Sequence, residues 1–162
     1  MPEEQQIVKV VIDKQSVFKI KDLYDFSYNL VTSLGFDVFE KFFIKKGDDT
    51  VFEWDCWRWV DDYFAYKIWL KVKVLGAKSV KVKRGGIEEP MQKAEVKVTI
   101  KGKFVTDWQR RWGANPLTKF FKGLFDKYLM GSTVDARRKE LKDKVFLVEN
   151  ELKSFFDLPR FM

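Results

Sequence analysis

The feature that most constrains the fold of this chain is the strict alternation in YKIWLKVKV, residues 66–74. Successive side chains of a β-strand point to opposite faces of a sheet, so a period of two predicts a strand with one buried and one exposed face. The predicted inner face holds Tyr66, Ile68, Leu70, Val72 and Val74, and the predicted outer face holds Lys67, Trp69, Lys71 and Lys73. A strand of this kind is typical of an antiparallel sheet that is covered on one side only.

Other runs rich in β-branched and aromatic residues predict further strands. The predicted strands are 7–13, 36–45, 51–60, 63–83 and 91–107. The fourth is long and contains Gly76, where we expect a bend or a bulge.

Apolar residues at helical spacing predict a helix at 20–34, with Ser16 as a candidate cap and Gly35 just after the last turn. The pair Asn115 and Pro116 is typical of a helix start and predicts a second helix that runs to about residue 130. A third helix is predicted at 134–157, where apolar residues form one stripe.

The predicted order is β-α-β-β-β-β-α-α, which indicates a single α+β domain over residues 1–162. We expect a curved antiparallel sheet of about five strands wrapped on long C-terminal helices. This element order resembles the helix-grip fold of START-like carriers of lipids and small molecules. The resemblance implies a cavity for an apolar ligand between the sheet and the helix.

The acidic residues of the third predicted strand select a register for its hairpin. A two-residue turn at 61–62 would place Glu53 and Asp55 in the core, where an unpaired carboxylate costs several kcal/mol. A three-residue loop instead places Trp54 opposite Leu70 in the core. We therefore predict the three-residue loop, which puts Trp57 and Trp69 on the outer face as diagonal neighbours.

Lysines and tryptophans share this outer face, and we name the set the Lys/Trp face. Its predicted members are Trp57, Trp69, Lys67, Lys71, Lys73, Lys97, Lys101 and Lys103. A loop near Ile87 would set Lys73 opposite Lys101 and Lys71 opposite Lys103, and opposed lysines repel each other.

The positive charge is concentrated in the same region. The chain carries a net charge of +7, and residues 67–111 contain thirteen Lys or Arg against four Asp or Glu. Lysines interleaved with aromatic rings are typical of surfaces that bind single-stranded nucleic acid or another polyanion. The alternatives are a solvated sheet face guarded by lysine, a carrier of an apolar small molecule, and a homo-oligomer that uses the tryptophans as its interface.

A second polar cluster is predicted at one end of the sheet. It comprises Asp61, Asp62, Arg110, Arg111 and Trp112. The arginines could clamp a carboxylate or phosphate, but we favour an ion-pair network that ties the hairpin to the following helix.

The helix that begins near Pro116 has an apolar stripe flanked by lysines. The stripe is Leu117, Phe120, Phe121, Leu124, Phe125, Tyr128 and Leu129. We expect it to pack on the inner face of the sheet; the alternative is a helix that lies in a membrane interface.

The residue types that are scarce argue against catalysis. The chain has no histidine, its single cysteine is Cys56, and it contains no phosphate-binding loop. We expect no enzymatic activity, no cofactor and no metal. We also expect no membrane span and no signal peptide, and hence a cytoplasmic protein with a lysine-rich composition resembling that of thermophilic proteins.

Overall fold

A computed structural model describes residues 3–84, 86–109, 116–129 and 131–157. Five antiparallel strands form one sheet in the order β1-β5-β4-β3-β2. The strands are β1 (Glu3–Phe18), β2 (Asp37–Lys46), β3 (Asp49–Trp59), β4 (Phe64–Arg84) and β5 (Ile87–Thr106). The helices are α1 (Ile20–Ser33), α2 (Pro116–Leu124), a π-helical turn (Phe125–Leu129) and α3 (Gly131–Asp157). The α+β class and the predicted element order are confirmed.

The core lies between the inner face of the sheet and α3, which packs on β1 and β5. The alternating apolar residues of β4 are fully buried, and the predicted stripe of α3 is buried with at most 7% exposure. That stripe is Val134, Leu141, Val145, Val148, Leu152 and Phe155. The helix α1 covers the neighbouring part of the sheet beside β2, so two helices share the inner face.

The structure confirms the predicted register of β3 against β4, which keeps Glu53 and Asp55 out of the core. Trp54 lies opposite Leu70, and both side chains are fully buried. Glu53 lies opposite Lys71 and Asp55 lies opposite Trp69, both on the outer face. The cost of burying a carboxylate is therefore enough to choose between the two hairpin loops.

The predicted pairing of β4 with β5 is wrong by four residues. Lys73 lies opposite Lys97 rather than Lys101, and Lys71 lies opposite Thr99 rather than Lys103. The hairpin closes between 84 and 87, before the position expected for its loop, and a bulge at 75–78 adds to the shift. Because the displacement is an even number of residues, every side chain keeps its predicted face.

The role predicted for Ser16 is also wrong. The residue lies inside β1, and its hydroxyl donates a hydrogen bond of 2.8 Å to the carbonyl oxygen of Phe156 in α3. Pairing with β5 extends β1 beyond the predicted 7–13, and α1 begins only after Lys19. Gly35 follows α1 with a φ of 89°, as a residue that ends a helix should.

The expectation that α2 covers the sheet is contradicted. Its apolar side chains Leu117, Phe120, Phe121 and Leu124 are exposed, and so is Tyr128 of the next turn. The inner face of the sheet is covered instead by α3, on β1 and β5, and by α1, beside β2. No helix in the described part of the chain has the length and apolar character needed to cross a bilayer.

Candidate polyanion-binding face

Three neighbouring strands bring the predicted lysines together on the outer face of the sheet. They line a depression of about 230 Å³ with Trp69 and Thr99 in its wall. The lysines that line it are Lys9, Lys71, Lys73, Lys97 and Lys101. The β4 and β5 residues are placed there by strand alternation, and β1 adds Lys9 because it pairs with β5.

Like charges face each other across this depression. Lys73 lies opposite Lys97, and Lys101 lies between Lys9 on one side and Trp69 on the other. Among the described residues, no acidic one lines the depression, although Asp13 of β1 lies opposite Lys97 and Glu53 of β3 lies opposite Lys71. Repulsion between the opposed amines destabilises this arrangement, and an anion placed between them would relieve the repulsion. The arrangement is therefore chemically suited to a multivalent anion.

Two predicted members of the Lys/Trp face lie outside the depression. The Lys67 amine is 3.3 Å from the Glu4 carboxylate, so its charge is partly neutralised. Lys103, on β5, lies opposite Lys67 of β4 on one side and Gln6 of β1 on the other. Both extend the basic surface along the sheet without lining the concave site.

The tryptophans form a path that leads to the depression. The Lys101 amine lies 4.7 Å from the Trp69 ring centroid, and the Lys67 amine lies 5.1 Å from that of Trp57. The rings of Trp57 and Trp59 are stacked at 5.9 Å with an interplanar angle of 7°. The Trp59 ring also contacts Phe39 edge-to-face at 6.4 Å and lies 6.3 Å from the ring of Trp108, yet the residue is 42% exposed.

The acidic residues of the outer face lie to one side, on β3. Glu53 and Asp55 both approach the amine of Lys41, at 3.5 Å and 3.6 Å. Lys41 sits at a bulge in β2, so it reaches carboxylates on the adjacent strand. The face is therefore divided into an ion-paired part on β2 and β3 and a basic part on β4, β5 and β1.

Sequence reasoning missed two residues of this site. Thr99 follows from the alternation of β5 and could have been included on that ground. Alternation in β3 puts Trp59 on the same face as Trp57. Nothing local places Lys9, because only the pairing of β1 with β5, distant in sequence, brings it to this face.

The second predicted polar cluster is only partly described. Arg110, Arg111 and Trp112 lie outside the described residues. A carboxylate oxygen of Asp61 accepts two backbone hydrogen bonds of 2.8 Å, and the Trp108 indole donates to the Asp61 carbonyl oxygen over 2.7 Å. These contacts stabilise the loop between β3 and β4, and the predicted ion pairs with the arginines stay a prediction.

A separate cleft of about 850 Å³ opens between the start of α1 and the sheet. Its apolar lining comprises Ile20, Tyr24, Phe43 and Pro90. Charged side chains surround them: Lys19, Lys21, Lys45, Asp25 and Glu40. Glu40 accepts hydrogen bonds from the Tyr24 hydroxyl at 3.0 Å and the Trp54 indole at 3.3 Å, so it helps to hold the helix on the sheet.

The cysteine and the acidic side chains are the described groups that bear on thiol chemistry and metal binding. Cys56 is buried, and its burial together with the nearby Asp55 raises the pKa of the thiol to about 12. A thiol that stays protonated is a poor nucleophile. No group of three or more Cys, Asp or Glu side chains in the described ranges could hold a metal ion.

The fold and this face define an α+β protein whose open antiparallel sheet carries helices on one side and a basic aromatic surface on the other. No protein-family model matches this sequence, and no curated protein matches it. Function is therefore inferred from the geometry of the side chains.

Proposed function

We propose that the protein is a non-catalytic binding module that holds single-stranded nucleic acid on its Lys/Trp face. The observation that carries the proposal is the depression, whose lining among the described residues holds five lysines and no carboxylate. Phosphates would occupy the space between the opposed amines, and a base would stack on the exposed ring of Trp59. A stack on Trp69 requires the Lys101 amine to move aside toward a phosphate.

Charge reversal inside the depression tests this proposal. The variant Lys73→Glu with Lys101→Glu places each new carboxylate opposite a lysine, Lys97 or Lys9, so the sheet gains two cross-strand pairs. We expect the fold to persist and binding of a labelled oligo-dT, followed by fluorescence anisotropy, to fall at least about tenfold.

A matched variant on the opposite side of the molecule serves as the control. Lys139→Glu with Lys142→Glu changes the net charge equally, and both side chains are exposed on α3. Binding should be nearly unchanged in this variant. Equal loss in both variants, or no binding by the wild type at low salt, would contradict the proposal.

Substitution of a tryptophan tests whether the face binds nucleic acid in particular or polyanions in general. Trp59→Ala removes the exposed ring, and loss of a base stack costs about 1–3 kcal/mol. We expect weaker binding of oligo-dT and no change for inorganic polyphosphate, which carries the same kind of charge but no bases. Equal affinities of the variant and the wild type for oligo-dT would rule out stacking on this ring.

Sedimentation of the purified protein tests the alternative that it is a homo-oligomer. A two-fold contact through the Lys/Trp face would bring one lysine-rich surface against another, which repulsion between like charges disfavours. We expect a monomer in sedimentation experiments at low salt. A dimer that Trp69→Glu dissociates would instead make this face a subunit interface.

The cleft beside α1 supports a second candidate function, a carrier of a small apolar molecule. Its volume is within the range of ligand pockets. Phe43 lines it, whereas the adjacent Ile44 points to the outer face of the sheet and is also exposed. Phe43→Glu should reduce binding of a fluorescent fatty acid, and Ile44→Glu should not; equal binding by both would contradict this function.

A further inference from the structure

The apolar side of α2 faces solvent. Leu117, Phe120, Phe121, Leu124 and Tyr128 are between 38% and 69% exposed. Their spacing of three, four and seven residues places them on one side of the helix and its π-helical continuation. Large apolar side chains gathered in this way on a protein surface mark a site of interaction.

The opposite side of α2 is held by a buried lysine. The Lys122 amine donates a hydrogen bond of 2.7 Å to the Thr106 hydroxyl and lies 3.2 Å from the Glu3 carboxylate. It also lies 5.7 Å from the ring centroid of Tyr63, which contacts Phe125 edge-to-face. Turning the helix to bury its phenylalanines would break these contacts, so the apolar side stays outward.

The charge on the helix narrows the choice of partner. The sequence of α2 contains Lys119 and Lys122 and no acidic residue, and Lys127 follows beside the ring of Tyr128. Residues 116–129 contain three lysines and one acidic residue, Asp126, so two copies packed through this segment would bring like net charges together. Phenylalanine and leucine flanked by lysine instead fit the interface of an anionic bilayer.

We propose that α2 docks the protein on the surface of an anionic lipid bilayer. Leu117, Phe120, Phe121 and Leu124 would enter the boundary between headgroups and acyl chains, and Lys119 and Lys127 would lie at the level of the lipid phosphates. The helix is too short to span the bilayer and lies along its surface. This inference does not depend on nucleic-acid binding by the Lys/Trp face, which lies on the sheet.

Co-sedimentation with vesicles tests the proposal. The full chain is mixed with phosphatidylcholine vesicles with or without phosphatidylglycerol. The test variant is Phe120→Glu with Phe121→Glu. The control is Phe146→Glu with Leu147→Glu, which changes two exposed apolar residues of α3 in the same way. Circular dichroism checks that each variant is folded.

We expect the wild type and the α3 variant to sediment with the anionic vesicles, and the α2 variant to bind at least about tenfold more weakly. Binding that survives in the α2 variant but is lost in the Lys73→Glu, Lys101→Glu variant would assign the membrane contact to the Lys/Trp face and overturn the proposal. A wild type that does not bind the vesicles but forms a dimer would also overturn the proposal if the α2 substitutions dissociate that dimer. The apolar side of α2 would then be an interface between two copies of the protein. A wild type that does neither would overturn the proposal as well.

Discussion

Single buried residues show how the surroundings set chemical properties that the sequence alone leaves open. Burial, helped by the Asp55 carboxylate, raises the pKa of the Cys56 thiol from 9.0 to about 12. Burial also raises the pKa of the Tyr66 hydroxyl to about 12. Both groups therefore stay protonated in the folded protein at pH values where they ionise in the unfolded chain.

The Cys56 thiol makes the protein sensitive to alkaline pH. Between pH 9.0 and about 12 the unfolded chain has lost this proton while the folded protein keeps it, so the free energy of unfolding falls as pH rises. At pH 10.5 the loss is about 2 kcal/mol. Urea unfolding of the wild type and Cys56→Ala should show a smaller fall with pH in the variant.

Comparison of Cys56→Ala with the wild type isolates the contribution of Cys56 to the pH dependence of the free energy of unfolding. Tyr66 is present in both proteins, so its contribution cancels in the difference. The alanine leaves a small cavity that lowers the stability of the variant at every pH, by about 1 kcal/mol. Equal falls in the free energy of unfolding with pH in the two proteins would contradict the expected role of the thiol.

At the scale of elements, β4 depends on a bulge that changes its register. Gly76 has a φ of 62°, and its backbone N–H donates a hydrogen bond of 2.9 Å to the Asp49 carboxylate. The N–H of Ala77 donates to the Asp48 carbonyl oxygen over 3.0 Å. The bulge is thus tied to the turn between β2 and β3, and the hairpin of β4 and β5 continues beyond it.

Gly76→Ala should destabilise the protein by about 1–2 kcal/mol. A Cβ at this position would meet no heavy atom within 4 Å, so the cost comes from the positive φ alone. Gly76→Asn is the matched control, since asparagine tolerates this conformation better, and it should cost less. Urea unfolding measures both variants, and equal costs for alanine and asparagine would contradict this explanation.

At the scale of the whole molecule, the Lys/Trp face carries lysines that do not favour the folded state. Lys73 and Lys97 lie opposite each other, and Lys9 and Lys101 do so across the next pair of strands. Such pairs are each unfavourable by about 0.2–1 kcal/mol. In the proposed function, a bound anion would relieve this repulsion.

Lys73→Gln should therefore stabilise the protein while it weakens binding. We expect the free energy of unfolding to rise by about 0.2–1 kcal/mol at low salt and the gain to shrink at high salt, because salt screens the repulsion. The dependence of oligo-dT affinity on salt should become shallower by about 0.7 in a plot of log affinity against log salt.

Urea unfolding and anisotropy titrations at several salt concentrations check both effects. Lys142→Gln, on the exposed side of α3, is the control and should change neither quantity appreciably. A Lys73→Gln protein that is less stable than the wild type at low salt would show that this lysine supports the fold.

The sequence by itself determined which side chains lie on each face of the sheet, because the period of two in β4 survives any even error in register. It also determined the pairing of β3 with β4, because the alternative would bury Glu53 and Asp55. Only the tertiary structure decided that β1 lies beside β5 and adds Lys9 to the site, since that contact joins parts of the chain far apart in sequence. It also decided which helix covers the core. The apolar stripes of α2 and α3 both suit the inner face, but α1 and α3 cover it, and the phenylalanines of α2 face solvent.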